Sequence, residues 1–223
     1  MSIREELAEL VGTFTLVFIG AGAMALAVEG TSSAGLVGVA LAHGIALVVI
    51  IFAWGAISGG HVNPAVTFGL ALAGRLPWAK AARYWIAQLL GAALASYLLL
   101  ALIGPQGDLG MTLPASSVSV VQAIVIEAVL TFFLVTAVFG SAVAGRNGNG
   151  AAVAIGLVLT MDILMGGVLT GASMNPARSF GPALAMGNFT NLYIYFIGPL
   201  LGGGLAALFF SRVYLRERDL TGS

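Results

Sequence analysis

Two polar stretches of this chain carry nearly the same residues in the same order. They read SGGHVNPAVTFG at residues 58–69 and TGASMNPARSFG at residues 170–181. Each offers an asparagine carboxamide, which donates and accepts hydrogen bonds, and the second adds the guanidinium of Arg178, which only donates. Such groups can bind and orient a small polar molecule. Since the sequence contains no cysteine, no metal-ligand cluster, no nucleotide-binding loop and no credible nucleophile–base set, we do not expect an enzyme, a metal or a cofactor.

The remaining sequence predicts that these stretches lie in a membrane. Of 223 residues, 59% are hydrophobic and 8% are charged, whereas an ordinary soluble domain has roughly 25% charged residues. Zero net charge argues against nucleic-acid binding. Apolar runs of roughly 20 residues are typical of transmembrane helices. Six such runs occur, at about 8–28, 35–57, 82–103, 120–143, 151–169 and 191–211.

The two halves of the chain resemble each other, which predicts an inverted internal repeat. ELVGTFTLV at 9–17 resembles EAVLTFFLV at 127–135, and QLLGAALA at 88–95 resembles PLLGGGLA at 199–206. Each half has three predicted spans, so the second half is inverted relative to the first. We expect a single membrane domain with one repeat at about 5–103 and another at about 120–214. Inverted repeats of this kind place a shared site near the bilayer midplane.

Each polar stretch is predicted to form a re-entrant half-helix between its second and third span. Asn63 and Asn175 are expected N-caps, each followed by a proline that suits the first helical turn, and each is expected to keep its amide N–H donors free to face a cavity. About ten residues then precede Gly74 or Gly187, and at ~1.5 Å each they reach about half of the ~30 Å hydrocarbon core. Non-helical backbone survives at that depth only inside protein or beside water. The predicted fold is therefore all-α, with six transmembrane helices and two half-helices.

The basic residues predict the orientation of the chain. With the predicted spans, all but one of the nine fall on the side that holds both termini, which the positive-inside rule makes cytoplasmic. These eight are Arg4, Arg75, Lys80, Arg83, Arg146, Arg212, Arg216 and Arg218. The exception, Arg178, lies in the second polar stretch and needs a functional explanation. We expect an integral protein of the plasma or inner membrane.

On these motifs the sequence resembles the aquaporin, or major intrinsic protein, family over nearly its whole length. The resemblance implies a homotetramer in the lipid bilayer with one pore per subunit, which passes water and small neutral solutes and excludes protons and ions. The implied midplane residues are Asn63, Pro64, Ala65, Asn175, Pro176 and Ala177. The positive N-terminal ends of the two half-helices would oppose cations there.

The family also has a four-residue constriction near the outer mouth of the pore. Its positions correspond here to His43, Ile163, Ala172 and Arg178. This set resembles that of plant tonoplast intrinsic proteins, several of which conduct ammonia, urea or hydrogen peroxide besides water. Glycerol channels of the family typically have different residues at these positions, which disfavours glycerol. The alternatives left open are a broader neutral-solute facilitator and a poorly conducting structural membrane protein.

The predicted spans contain further polar residues whose roles the sequence leaves open. Glu9 and Glu127 occupy equivalent positions and are expected to accept backbone N–H bonds from the half-helix loops, with a proton relay as the alternative. His61 is expected to support its loop, or else to gate the pore. His43 is either a filter residue, with a possible pH response, or an ordinary core histidine. Asp162, next to Ile163, is expected to have a structural role or to contact the filter.

Overall fold

The computed structural model describes residues 3–28, 35–145, 148 and 150–214. Within these ranges the chain forms helices and connecting turns and no β-strand. The α-helices are α1 (Arg4–Val28), α2 (Gly35–Ser58), α3 (Pro64–Leu72), α4 (Trp78–Ile103), α5 (Val120–Ala137), α6 (Gly150–Thr170), α7 (Pro176–Met186) and α8 (Ile194–Phe209). Six of them are long and apolar enough to cross a membrane, which confirms the predicted spans. Arg146, Arg216 and Arg218 lie outside the described residues.

The helix ends differ from the predicted ones, chiefly on the side of the basic residues. The helix α1 begins at Arg4 rather than near residue 8, and α4 begins at Trp78 rather than near residue 82. The reason is that charged side chains on these turns pair with each other. Lys80 Nζ lies 2.9 Å from Glu5 Oε1, and Arg83 Nε lies 2.7 Å from Glu6 Oε1. An apolar run predicts the lipid-facing part of a helix and misses such a polar first turn.

Two of the spans end in π-helical turns that the sequence did not predict. The helix α5 continues as a π turn over Val138–Val143, and α8 continues as one over Phe210–Tyr214. The rings of Phe139 and Phe210 stack, with centroids 5.8 Å apart. The two widened turns therefore pack against each other at the end of the molecule that carries the basic residues.

Close helix contacts repeat between the two halves. A Cβ added to Gly91 in α4 would lie 2.2 Å from the Leu10 carbonyl of α1, and one added to Gly202 in α8 would lie 2.0 Å from the Ala128 carbonyl of α5. Leu10 and Ala128 directly follow Glu9 and Glu127, the glutamates that occupy equivalent positions in the two halves. Only glycine permits such an approach of backbone to backbone. The same pair of helices is therefore joined in the same way in each half.

The two halves meet at α2 and α6. Gly44 and Gly156 face each other there, because a Cβ on either would lie 2.6 Å from the carbonyl oxygen of the other. Each half-helix also contacts a span of the other half. A Cβ on Gly69 of α3 would lie 3.0 Å from the Gly203 carbonyl of α8, and one on Gly181 of α7 would lie 2.5 Å from the Ala92 carbonyl of α4. Each half-helix thus packs against the last span of the other half.

Candidate functional site

Asn63 and Asn175 cap the two half-helices where their N-termini meet. Asn63 Oδ1 accepts from the Ala65 N–H at 2.8 Å, and Asn175 Oδ1 accepts from the Ala177 N–H at 3.0 Å. The prolines at Pro64 and Pro176 occupy the first helical turn of each. Each carboxamide oxygen is therefore committed to its own helix, and its NH₂ group points away from that helix.

The same two asparagines join the halves. Asn63 Nδ2 donates to the Met174 carbonyl at 2.8 Å, and Asn175 Nδ2 donates to the Val62 carbonyl at 2.9 Å. The sequence predicted that the amide donors would be free to face a cavity. That prediction needs a correction, because one N–H of each NH₂ group is used in this cross-link. One donor remains on each asparagine for any other molecule.

The loop before Asn63 is held by Glu9. Its Oε1 accepts from Ser58 Oγ at 2.7 Å and from the His61 N–H at 2.9 Å. Its Oε2 accepts from the Val62 N–H and from Gln88 Nε2, both at 2.7 Å. Val62 has a φ of 43°, which is unfavourable for a β-branched residue. The carboxylate therefore holds a strained loop in the shape that places Asn63.

Glu127 holds the second loop in the same manner. Its Oε1 accepts from Thr170 Oγ1 at 2.7 Å and from the Ser173 N–H at 3.0 Å, and its Oε2 accepts from the Met174 N–H at 2.7 Å. Met174 again has a positive φ, of 53°. The described residues supply no fourth donor like Gln88, because its equivalent position in the second half is Pro199. The two carboxylates are thus equivalent in position and unequal in their bonding.

His61 contacts its own loop and the adjacent span. Its Nδ1 lies 3.1 Å from Thr67 Oγ1, and its ring packs edge-on to Tyr84 with centroids 5.2 Å apart. Burial lowers the pKa of the His61 imidazole below its ordinary value of 6.5, although the Glu9 carboxylate acts in the opposite direction. The imidazole is therefore neutral at pH 7.

A cavity of about 290 Å³ extends from the asparagine pair towards the end that carries the basic residues. We call it the inner cavity. Asn63, Asn175, His61 and Arg75 are among the polar residues that line it. Aliphatic residues of the spans form most of the remaining wall, including Leu47, Leu134, Ile155 and Leu159. An apolar wall with a few polar groups suits a path for small polar molecules.

On the far side of the asparagine pair, the buried guanidinium of Arg178 makes three contacts. Its Nη1 donates to the Gly110 carbonyl at 2.6 Å, its Nη2 lies 3.2 Å from Met24 Sδ, and its Nε donates to His43 Nε2 at 3.4 Å. Arg178 is 2% exposed. Carbonyl, sulfur and imidazole acceptors thus hold a positive charge that has no carboxylate partner in the described residues.

The contacts of His43 define its chemical form. Its Nδ1 lies 2.9 Å from the Val39 carbonyl, an acceptor, so Nδ1 carries the proton. Nε2 is then free to accept from Arg178. A proton on Nε2 would abolish that bond and place two positive charges in contact. His43 is therefore a neutral acceptor for Arg178 and not an isolated core histidine.

Ile163 lies near residues that contact this pair, and Ala172 lies in the loop before Asn175. Ile163 contributes to a second cavity of about 200 Å³, together with Met24, Val39 and Gly171. We call it the outer cavity. Ala172, the next residue after Gly171, is buried and has a φ of 44°. The structure thus brings His43 and Arg178 into direct contact, with Ile163 on the outer cavity and Ala172 in the adjoining loop.

Comparison with known proteins identifies the family. The family model described as "Major intrinsic protein" matches residues 1–210.

The chain belongs to the major intrinsic protein family.

Individual relatives of this member of the major intrinsic protein family are plant aquaporins. Aquaporin TIP2-1 of Arabidopsis thaliana is 43% identical over 230 residues, which cover 98% of this chain and 90% of the relative. Aquaporin TIP1-2 of Musa acuminata is 45% identical over 97% of this chain and 88% of the relative. The aquaglyceroporin of Plasmodium falciparum has an X-ray structure that matches with a TM-score of 0.88 at 26% identity, over 98% of this chain and 99% of the other. The family is one of membrane channels and not of enzymes.

Sequence reasoning missed several members of this site. Gln88 and Tyr84 were not singled out, and Tyr195 was likened only to the water-channel branch of the family. Tyr84 Oη donates to the Ser58 carbonyl at 2.8 Å, and Tyr195 Oη donates to the Thr170 carbonyl at 2.6 Å. The repeat contained the signal. Each tyrosine stands four residues before the start of the matching QLLGAALA or PLLGGGLA segment. A polar residue found at the same place in both halves is a candidate for a shared structural role.

The partners of Arg178 carried no such signal. Gly110 lies in a turn over Gln106–Gly110, in which Gly107, Asp108 and Leu109 all have positive φ. That turn packs on α1, since a Cβ on Gly110 would lie 2.3 Å from the Ala21 carbonyl. Neither the left-handed turn nor its docking follows from local residue preferences, so the carbonyl that binds the guanidinium became visible only in the structure.

Proposed function

We propose that the protein is a passive, proton-tight membrane channel for water and small neutral solutes. The observation that carries this proposal is the cross-linked pair Asn63 and Asn175, which joins the N-termini of two half-helices and lines the inner cavity. One unpaired N–H donor remains on each carboxamide at this point. The family membership and the names of the plant relatives support the same function.

The asparagine pair would orient a passing water molecule. Two donors from opposite half-helices would bind the oxygen of a central water, so that this oxygen cannot accept from a neighbouring water. The hydrogen-bonded wire that carries protons would be interrupted there. The half-helix N-termini, each equivalent to roughly half a positive charge, would add an electrostatic barrier to cations. We assign this role to Asn63, Pro64, Ala65, Asn175, Pro176 and Ala177.

Arg178, His43, Ile163 and Ala172 would form the narrower selectivity filter. The guanidinium would repel cations and offer donors to water, while His43 holds it in place as a neutral acceptor. Ile163 supplies an aliphatic side chain where the family's commoner water-selective pattern has a histidine, and Ala172 supplies a small side chain. This composition favours ammonia and urea as additional solutes and disfavours glycerol.

Glu9, Glu127 and His61 are proposed to hold the loops. The two carboxylates accept four and three hydrogen bonds respectively. A carboxylate occupied in this way has little freedom to pass on a proton. This bonding supports a scaffold in preference to a proton relay.

We further propose that the channel is a homotetramer with both termini in the cytoplasm. This orientation is supported by five basic residues that lie in the first turns of spans, or in segments next to a span, on the side of the described structure that holds the start of α1 and the end of α8: Arg4, Arg75, Lys80, Arg83 and Arg212. The protein is an integral membrane protein. Its placement in the plasma or inner membrane has no support from the comparisons, in which the relatives belong to the plant TIP series. It stays a prediction, which membrane fractionation with a tagged chain would test.

The test of the channel is stopped-flow light scattering on proteoliposomes. We expect fast osmotic shrinkage, slow glycerol uptake and no proton current. Arg178→Val introduces the residue that stands at the equivalent position of the first half, Val66. We expect this variant to admit more glycerol. Arg212→Gln, which removes a charge in the π turn after α8, should leave the permeabilities unchanged. Bare-lipid rates for every solute with intact tetramers would reject the channel and favour the structural alternative.

A further inference from the structure

Asp162 is a buried acid without a partner. It lies in α6 and is 1% exposed. Neither Oδ1 nor Oδ2 has a hydrogen-bond partner among the residues that the structure describes. Glu9 and Glu127, which are also buried, accept four and three hydrogen bonds respectively. A buried carboxylate without donors is unfavourable by several kcal/mol in general, so such a group requires an explanation.

The position of Asp162 along α6 places it beside the path between the two cavities. On a helix of 3.6 residues per turn, it shares a face with Ile155 and Leu159, which line the inner cavity. The next residue, Ile163, lines the outer cavity. Asp162 stands ~4.5 Å beyond Leu159 along the helix axis, at ~1.5 Å per residue. Asp162 lines neither cavity itself, and along α6 it lies between Leu159 on the inner cavity and Ile163 on the outer cavity.

The first half of the chain shows which type of side chain the helix packing accommodates at the equivalent position. Asp162 stands thirteen residues before Asn175, and thirteen residues before Asn63 stands Ile50. Ile50 is 1% exposed, and its Cγ2 would lie 3.1 Å from a Cβ placed on Gly12 of α1. The helix packing of the repeat thus accommodates an aliphatic side chain here. Packing alone does not account for a carboxylate.

Nearby charges do not account for Asp162 either. The charged group that acts on it is Glu127, another carboxylate, which repels it and offers no donor. The polar groups of the path itself are donors. The free N–H groups of Asn63 and Asn175 donate, and so does the guanidinium of Arg178. An acceptor at Asp162 would complement this set.

We propose that Asp162 is a further selectivity-determining residue, whose carboxyl oxygens accept hydrogen bonds from molecules that pass between the asparagine pair and Arg178. The inference rests on the proposed channel function. The solutes favoured are small neutral molecules with several O–H or N–H donors, the class to which water, ammonia and urea belong. Molecules that only accept hydrogen bonds gain nothing at this position.

The experiment compares permeabilities of reconstituted wild type, Asp162→Asn, Asp162→Leu and Ile50→Leu to water and urea. Asparagine keeps an acceptor oxygen of the same size, and leucine removes it. We expect Asp162→Leu to lower both permeabilities by about two- to tenfold, the range that one lost hydrogen bond gives. We expect Asp162→Asn to stay within about twofold of wild type, since a neutral acceptor suffices. Ile50→Leu, the matched packing control, is expected to match wild type.

Each outcome bears on the proposal. Wild-type rates in Asp162→Leu, or equal losses in Asp162→Leu and Asp162→Asn, would overturn it. If Asp162→Leu does not yield folded tetramers, Asp162→Ala provides the acceptor-free variant and is read in the same way. Absence of flux in folded wild-type protein rejects the channel itself, and the Asp162 proposal falls with it. Normal wild-type flux with an unaffected Asp162→Leu variant rejects the Asp162 proposal alone.

Discussion

Replacement of Glu9 by glutamine tests whether this buried acid is a scaffold. The change keeps the size of the side chain and converts one acceptor oxygen into an NH₂ donor. If the NH₂ group replaces Oε2, it faces the Val62 N–H, now 2.7 Å from that oxygen, and Gln88 Nε2. If it replaces Oε1, it faces the His61 N–H and Ser58 Oγ, now 2.9 Å and 2.7 Å from that oxygen.

The size of the effect follows from which partners can adapt. Gln88 can rotate its amide by half a turn, since its Oε1 has no partner in the described structure. The Ser58 hydroxyl can likewise turn and accept. A backbone N–H cannot adapt, so either orientation loses one hydrogen bond to a charged group. That loss lowers the free energy of unfolding by about 1.5–3 kcal/mol.

The assay is unfolding of the reconstituted protein by titration with SDS in mixed micelles, beside a proton-flux measurement in liposomes. Glu5→Gln is the control, because it makes the same chemical change in an ion pair whose glutamate side chain is 36% exposed. An exposed pair contributes at most about 1 kcal/mol. The scaffold role is refuted if Glu9→Gln costs no more stability than Glu5→Gln. A proton flux that depends on Glu9 at unchanged stability would support the relay instead.

Three further results are expected. Tyr195→Phe removes the bond from Tyr195 Oη to the last carbonyl of α6, 2.6 Å long, and should lower the free energy of unfolding by about 0.5–1.5 kcal/mol in the same SDS titration. Gly156→Ala places a Cβ 2.6 Å from the Gly44 carbonyl and should cost about 1–3 kcal/mol, seen as an earlier unfolding midpoint; an unchanged midpoint would show that α2 and α6 separate easily. Water permeability should vary by less than about twofold between pH 6.5 and 8.5. The reason is that burial lowers the pKa of His61 below 6.5 and keeps it neutral in this range, and that His43 is neutral beside Arg178. A step in permeability within that range, measured by stopped-flow light scattering, would contradict this prediction.

The sequence was sufficient to predict the spans and the family. A long apolar run has few alternatives to a transmembrane helix, and the duplicated Asn-Pro-Ala stretches identify the family. The predicted bounds failed where polar residues continue a helix, as at Arg4 and Trp78, because hydropathy does not detect an ion-paired turn. The π turn after Ala137 was also missed, since no residue type there requires a widened turn.

Prediction of the site was partial for a different reason. The sequence pointed to Asn63, Asn175 and Arg178 by type and spacing, and their functional roles stay predictions. The bonds that hold them join residues far apart in the chain, such as Asn63 to Met174 and Arg178 to Gly110. Periodicity and local preference contain no information on such pairs. The comparison of one half with the other, as for Ile50 and Asp162, was the one source of long-range information within the sequence.

The packing of each half-helix against a span of the other half has a consequence for biosynthesis. The helix α3 rests on α8, near Gly203, and Asn63 bonds to the loop that precedes α7. When a ribosome has made only the first half, α3 lacks both α8, against which it packs, and the loop before α7, to which Asn63 bonds. We expect the first loop to stay outside the lipid, or to be shielded by the insertion machinery, until the last span emerges. The chain contains no cysteine, so a single cysteine introduced at Val62 reports on this loop. A chain stopped before residue 190 would then leave that cysteine accessible to thiol reagents, whereas the full chain would protect it.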